Sequence, residues 1–291
     1  MTTLPHSRKT MYRTHLDDYA PAWAEYFTFR RENGILEVRM HTDGADARWS
    51  LELHRAFVPA FADIQNDPEN ECIILTGTGD TFLASFDADA WERQGFREPF
   101  THRHGYDVFY FDQTREPWAL LNQQIPIIAA VNGPLFIHAE LALLNDLVIC
   151  SDNTTMRDGH YVDVGIVPGD GVQIVFRELL GHNRSKHFLL TGQTYDAAQL
   201  LELGLVSEVV PQDQLLDRAW ELAETVFMAR NRIHRRVTRE LLVQPWRELF
   251  IKELGYGQAV ESWACHDYWP MAADDNYDIA NLKASDAAAA Q

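Results

Sequence analysis

The chain has 291 residues, 46% of them hydrophobic and 23% charged, which excludes a disordered chain, a collagen-like chain and a disulfide scaffold. Its formal net charge of −18 at pH 7 would repel a phosphate backbone, so nucleic acid is not an expected partner. Cys72, Cys150 and Cys265 form no CxxC pair and read as reduced thiols of a cytoplasmic protein, and neither a signal peptide nor a membrane span is expected.

Residues 1–25 are polar and aromatic, with Pro5 and Pro21 and no sustained period, and read as an irregular extension. YFTFRRENGILEVRMH, residues 26–41, is two β-prone runs around Asn33-Gly34, a hairpin signal. Ser50 precedes a run with Leu51, Leu53, Phe57 and Phe61 near helical spacing, so a helix with a serine N-cap is expected. CIILTG (72–77) reads as a buried strand ended by glycine. A helix around 114–124, a strand in IIAAVNG (127–133), a helix through 138–145 and a strand LVICS (147–151) follow. The alternation predicts an α/β core over 26–211 with crossover connections. From 212 to 291, beyond Pro211, the pattern is helical only, with an amphipathic stretch to about 243. The tail SDAAAAQ should fray.

General motifs exclude more than they assign. There is no P-loop and no G-x-S-x-G, and the GTGD at 77–80 is not a dinucleotide fingerprint. His102 and His104 lie in THRHGYD without an HExxH or a cysteine cluster, so no metal is expected. Pattern alone reaches an α/β enzyme with acid–base chemistry.

Residues 125–171 are more informative: IPIIAAVNGPLFIHAELALLNDLVICSDNTTMRDGHYVDVGIVPGDG. Together with LLTGQTYDAAQLLELGLVSEVVP (189–211), this segment resembles the crotonase (enoyl-CoA hydratase/isomerase) superfamily over roughly residues 28–265. The resemblance implies a spiral of repeated ββα units followed by a helical C-terminal region. Two departures narrow it. The glycines usual after the Asn-Gly turn of CoA-using members are replaced by Pro134-Leu135-Phe136-Ile137-His138, and the usual F-x-A-G-A-D reads Phe82-Leu83-Ala84-Ser85-Phe86-Asp87. Both changes weigh against binding a thioester. They are similar instead to 6-oxocamphor hydrolase and related β-diketone hydrolases, which use no CoA.

On that resemblance the subgroup's site residues fall on Trp49, His54, His138, His160, Asp170 and Glu261. Phe82, Phe86 and Phe136 would line the substrate pocket, and no cofactor is implied. Hydrolysing a C–C bond requires the leaving carbon's charge to pass into a second carbonyl as an enolate, which a 1,3-diketone supplies. Histidine suits the proton transfers because its ordinary pKa is near working pH. His160 with Asp170 is one expected pair, joined by a reversal at Val167-Pro168-Gly169. Asp170 also reads as the N-cap of the next helix, and the two roles can coexist. His54 with Glu261 is the other expected pair, with water activation as its task. Taken singly, His54 reads as a boundary histidine, Glu261 as a solvated helix residue, His138 as a partly exposed capping residue, and Trp49 as core or pocket wall. His41 is expected to be structural.

The first functional reading is cofactor-independent hydrolysis of a cyclic or bicyclic 1,3-diketone to a keto acid. An acyl-CoA hydratase, isomerase or thioesterase of the same fold is the alternative, and a catalytically silent crotonase-fold protein a further one. The resemblance also implies a homotrimer or dimer of trimers. WACHDYW (263–269) is expected either to close the pocket or to lie in a subunit contact.

Overall fold

A computed structural model describes residues 12–273 of the chain. The expectations placed on Pro5 and on the alanine-rich tail lie outside the described residues. Within the segment read as irregular, Leu16–Ala22 forms a helix (α1). The local pattern was too short to show it, and it is held from outside, with the Tyr19 side chain buried beneath it.

β1 (Phe27–Glu32) and β2 (Ile35–Met40) form the antiparallel hairpin. Asn33 and Gly34 both have positive φ, 50° and 84°, the conformation that a two-residue type I′ turn requires. After the two-residue strand β3 (Arg48–Trp49) comes α2 (Leu51–Asn66), capped by Ser50, whose hydroxyl accepts from the Leu53 N–H. β4 (Cys72–Gly77), the short β5 (Ser85–Phe86) and helix α3 (Ala88–Arg93) follow. A π-helical segment, His104–Asp112, leads into α4 (Arg115–Leu121). Next are β6 (Ile127–Val131), the four-residue α5 (Glu140–Leu143), β7 (Leu147–Ser151) and β8 (Thr155–Met156). A second π-helical turn, His160–Val164, precedes α6 (Val172–Thr191), which is broken at Gly181. β9 (Tyr195–Asp196), α7 (Ala197–Glu202) and β10 (Glu208–Val210) complete the α/β part.

The main sheet has the order β1-β2-β4-β6-β7-β10. Only the first pair is antiparallel; every other neighbour is parallel. Parallel strands need crossovers, and sheets covered on both faces carry near-continuous apolar runs. β4 and β6 are accordingly buried at every residue.

The C-terminal region is helical, as its pattern predicts. α8 (Leu215–Leu222) and a π-helical turn run to Met228, and Asn231 then caps α9 (Arg232–Asp267). The amphipathic stretch is therefore two helices, broken at 229–231. WACHDYW is divided too. Trp269 is buried and donates from Nε1 to the Phe96 carbonyl at 2.7 Å, whereas Trp263 is exposed.

Candidate active site

The expected site residues come from six separate segments, and the fold brings them to one buried region. Trp49 ends β3 and pairs with Phe86 of β5. His54 is on the first turn of α2 and stacks on Trp49, ring centroids 5.7 Å apart. The His138 ring lies tilted against the same tryptophan, ring centroids 4.3 Å apart. The chain reaches His138 through Leu135, whose N–H donates to Thr155 O, and Phe136, whose N–H donates to Leu83 O. This anchoring offsets a φ of +53° at His138, a left-handed conformation that costs a residue with a Cβ about 1–2 kcal/mol. His138 is buried and Ala139 is the N-cap of the four-residue α5, so His138 is neither exposed nor a helix cap.

Asp170 sits between two imidazoles. Its Oδ2 is 3.2 Å from His160 Nε2 and 3.3 Å from His138 Nδ1. Its Oδ1 accepts from the Val172 N–H at the start of α6. Of the two roles expected of this aspartate, the pairing with His160 is present; the N-cap of α6 is Gly171, and Asp170 makes an Asx-turn contact just ahead of it. The reversal at Val167–Gly169 does return Asp170 to His160.

His160 has a second carboxylate on its other nitrogen: Asp158 Oδ2 lies 3.0 Å from Nδ1. Both nitrogens face acceptors, and only the imidazolium offers two donors. Burial favours the neutral ring, but Asp158 and Asp170 overcome it and hold His160 well above its ordinary pKa. Asp170 is pushed up by burial and pulled well below the carboxylate range by His160 and then His138. His138 has a further partner in Glu140, whose Oε1 is 2.7 Å from its Nδ1. Against desolvation, Glu140 and Asp170 raise the His138 pKa. Burial, then Asp170, lifts Glu140 to about 7.

The expected pairing of His54 with Glu261 is not formed. His54 Nε2 lies 3.1 Å from Glu116 Oε1, on α4. α2 packs against α4, which sets this partner. Glu261 instead lies under the Gly169 loop. A Cβ on Gly169 would come 2.4 Å from Gly257 O and 2.8 Å from Glu261 Oε2. Glycine at both 169 and 257 allows the loop and α9 to touch backbone to backbone, which seats Glu261 one turn after Gly257 beside His160 and Asp170. Burial holds the Glu261 carboxyl well above its usual range. Burial, followed by His138, holds His54 well below its own.

A small cavity of about 20 Å³ abuts this cluster, lined among others by Phe86, Phe136, Ile137, Arg157 and His160. Of the three phenylalanines expected to line a pocket, Phe86 and Phe136 face this cavity. Phe82 does not: it is fully buried in the core, because its N–H is tied to Pro134 O and its ring turns inward. Arg157 lies over the Phe136 ring at 4.8 Å and pairs with Asp163 at 2.5 Å. His41 accepts from the Gly44 N–H, a turn contact of the structural kind expected.

Asp158, Glu140 and Glu116 were not singled out from sequence. Asp158 and Glu140 each stand two residues from a site histidine, where a bent or extended backbone returns side chains to one side. Glu116 gave no signal, since an acid in a first helical turn is ordinary. Glu116, His138 and Glu140 each offer a donor atom within 4.8 Å of the others, so this is where the described residues could place a cation.

The enoyl-CoA hydratase/isomerase family model matches residues 30–254. The chain belongs to that family. Its fold is that of the crotonase superfamily, whose members are enzymes, with a helical C-terminal region. Carnitinyl-CoA dehydratase from Citrobacter koseri is 31% identical over 205 residues, 69% of this chain and 74% of the relative. Hydroxycinnamoyl-CoA hydratase-lyase from Pseudomonas fluorescens is 30% identical, covering 67% and 70%. Among solved structures, a β-diketone hydrolase from the cyanobacterium Anabaena sp. PCC 7120, bound to (S)-3-oxocyclohexyl acetic acid, is 38% identical. It matches with a TM-score of 0.80 over 86% of this chain and 97% of its own. An enoyl-CoA hydratase/isomerase from Mycobacterium paratuberculosis matches at 21% identity with a TM-score of 0.74, a likeness of fold alone.

Proposed function

We propose that this crotonase-superfamily enzyme hydrolyses a C–C bond of a cyclic or bicyclic 1,3-diketone to give a keto acid. The carrying observation is His160, clamped between Asp158 and Asp170 at the end of an apolar cavity. Such an imidazolium places a fixed positive charge beside the cavity, which can meet the negative charge that develops on a ketone oxygen without a coenzyme handle. Further support is the 38% identity to a β-diketone hydrolase with a bound ligand that carries one ketone and one acid, the two groups left when water opens a diketone.

In this mechanism Glu261 takes a proton from water, and the water oxygen bonds to the carbonyl carbon facing His160. Burial raises the proton affinity of Glu261, bringing a carboxylate closer to the pKa a base needs near neutrality. The C–C bond then breaks, its electron pair passing into the second carbonyl as an enolate. The proton held by Glu261 returns to the freed carbon. His138, supported by Glu140 and Asp170, holds the enolate oxygen's charge. His54 loses the water-activating task expected for it, since Glu261 is not its partner.

The CoA-using relatives favour a second reading, hydration or isomerisation of an acyl-CoA. One experiment separates the two. The protein is incubated without cofactor with 1,3-diketones of several ring sizes, and loss of the near-ultraviolet absorbance of the enolised diketone is followed beside His160→Ala. Turnover by wild type alone supports the diketone reading. Turnover or saturable binding of acyl-CoA thioesters, with inert diketones, replaces it.

We also propose self-association as a trimer or dimer of trimers. Ile233, Val237, Leu241, Ile251, Tyr256 and Trp263 of α9 are all largely exposed, an apolar display that a partner copy would cover. A monomer in analytical ultracentrifugation at micromolar concentration would contradict it.

A further inference from the structure

The cavity beside His160 carries a second cation, to which the proposed reaction gives no task. Arg157 directly follows β8 and is 3% exposed. Its backbone N–H donates to Leu135 O at 3.2 Å, which fixes the root of the side chain beside Phe136. The guanidinium then lies 4.8 Å from the centre of the Phe136 ring, a cation resting on an aromatic face. Nη1 pairs with Asp163 Oδ2 at 2.5 Å, and both side chains are buried. Phe86, Phe136, Arg157, His160 and Asp163 all line this one cavity.

At about 20 Å³ the cavity has space for about one water molecule, so a larger ligand must displace part of the wall. Phe86 and Phe136 make contacts that any apolar group can replace. The tie between Arg157 and Asp163 is different. Withdrawing Asp163 alone would leave a buried charge uncompensated, which is strongly unfavourable. A ligand carboxylate that takes its place keeps Arg157 paired throughout, because a guanidinium fork accepts any carboxylate in the same planar way. Asp163 also has room behind it. It belongs to the π-helical turn His160–Val164, set between Gly159 and Gly165, the latter at a φ of 77°. On the far side of that turn, Tyr161, Gly165 and Val167 line a separate cavity of about 260 Å³ against Cys265 and Tyr268.

We propose that Arg157 is the carboxylate-binding residue of this cavity: a keto acid sets its carboxylate on the guanidinium in place of Asp163. This deepens the proposed function and takes its ligand class from it, since the carbonyl that faces His160 becomes the carboxylate in the cavity that Arg157 lines. No covalent bond is made or broken in the exchange; one carboxylate replaces another. His160 is not open to the same exchange, because Asp158 and Asp170 face both of its nitrogens. When the acid leaves, Asp163 returns to Arg157 and closes the wall, so the competing aspartate favours release of product.

Binding tests this without turnover. 5-Oxohexanoate, the acid formed if water opens cyclohexane-1,3-dione, is titrated by calorimetry at pH 7 beside its methyl ester, which has the same chain and no charge. Wild type should bind the acid more tightly than the ester. R157M, an unbranched side chain without the charge, should bind the acid about 10-fold or more weakly, the scale of a hydrogen bond to a charged group, with ester affinity unchanged. R157K keeps the charge without the fork and should fall between. D163N removes the competing carboxylate and should bind the acid more tightly than wild type, a change of opposite sign that a merely structural ion pair would not give. Equal affinity of wild type for acid and ester, no saturable binding of the acid, or an acid affinity that falls in D163N as in R157M would each overturn the proposal. The diketone assay fails or succeeds separately. Acid binding that depends on Arg157, with inert diketones, removes the proposed reaction and keeps the carboxylate site. Turnover of diketones, with acid affinity indifferent to Arg157 and Asp163, does the reverse.

Discussion

Replacing Asp170 by asparagine changes a charge and little else. The asparagine amide oxygen accepts a hydrogen bond as the carboxylate oxygen does, so the Oδ1 contact to the Val172 N–H survives. What is lost is the anion 3.2 Å from His160 and 3.3 Å from His138. At an effective dielectric near 20, opposite unit charges at that separation attract by about 5 kcal/mol. Asp158 stays 3.0 Å from the other nitrogen of His160 and retains part of the imidazolium's stabilisation, so about 2.5–5 kcal/mol is at stake. At 1.36 kcal/mol per tenfold, kcat of D170N should fall by about 10²–10⁴ in the near-ultraviolet diketone assay. The pH dependence has a definite sign. Asp170 is held low, so its contribution is present above about pH 4 and is lost as acid titrates it; His160 is held high, so its contribution is complete below about pH 6.5 and fades as pH rises through its folded value. The stability deficit of D170N in denaturant titrations should therefore be greatest between those limits and shrink in alkali. A kcat within twofold of wild type, or a deficit that does not vary with pH, would refute this account of the pair.

Gly257→Ala places a methyl 2.4 Å from Gly169 O, so α9 or the loop must shift; a destabilisation of about 1–3 kcal/mol should show in thermal melts, with activity falling further as Glu261 is displaced. Glu261→Gln removes the proposed base and should lower kcat by about 10²–10⁴ with KM little changed, whereas loss in KM alone would assign Glu261 to binding. Phe136→Ala opens the cavity wall and frees Arg157 from its ring stack; KM should rise more than kcat falls, and the reverse in steady-state kinetics would place this ring at the reacting atoms. Ser50→Ala removes the hydroxyl that accepts from Leu53 N–H at the head of the helix bearing His54, and should cost about 1 kcal/mol in chemical denaturation.

The parts of this protein legible in its sequence are those whose causes are local. Asn33-Gly34 announces a hairpin because only residues tolerant of positive φ can make that turn. Ser50 announces a helix because its hydroxyl replaces a missing backbone acceptor. CIILTG and IIAAV announce buried strands because both of their faces are apolar. Asp170 could be read as the partner of His160 because a short Pro-Gly reversal separates them. Phe82 was misplaced because ring type says nothing about facing, and its backbone bond to Pro134 O turns it into the core. The partners of His54 and Glu261 were beyond the sequence for a stronger reason. Each neighbour is chosen by which element lies against which: α2 against α4 places His54 beside Glu116, and the backbone contact of Gly169 with Gly257 keeps Glu261 under the Gly169 loop. The residue types, and so the acid–base character of the site, are present in the chain from the start. Which proton belongs to which group is decided only when folding excludes water and leaves five carboxyls to share three imidazoles.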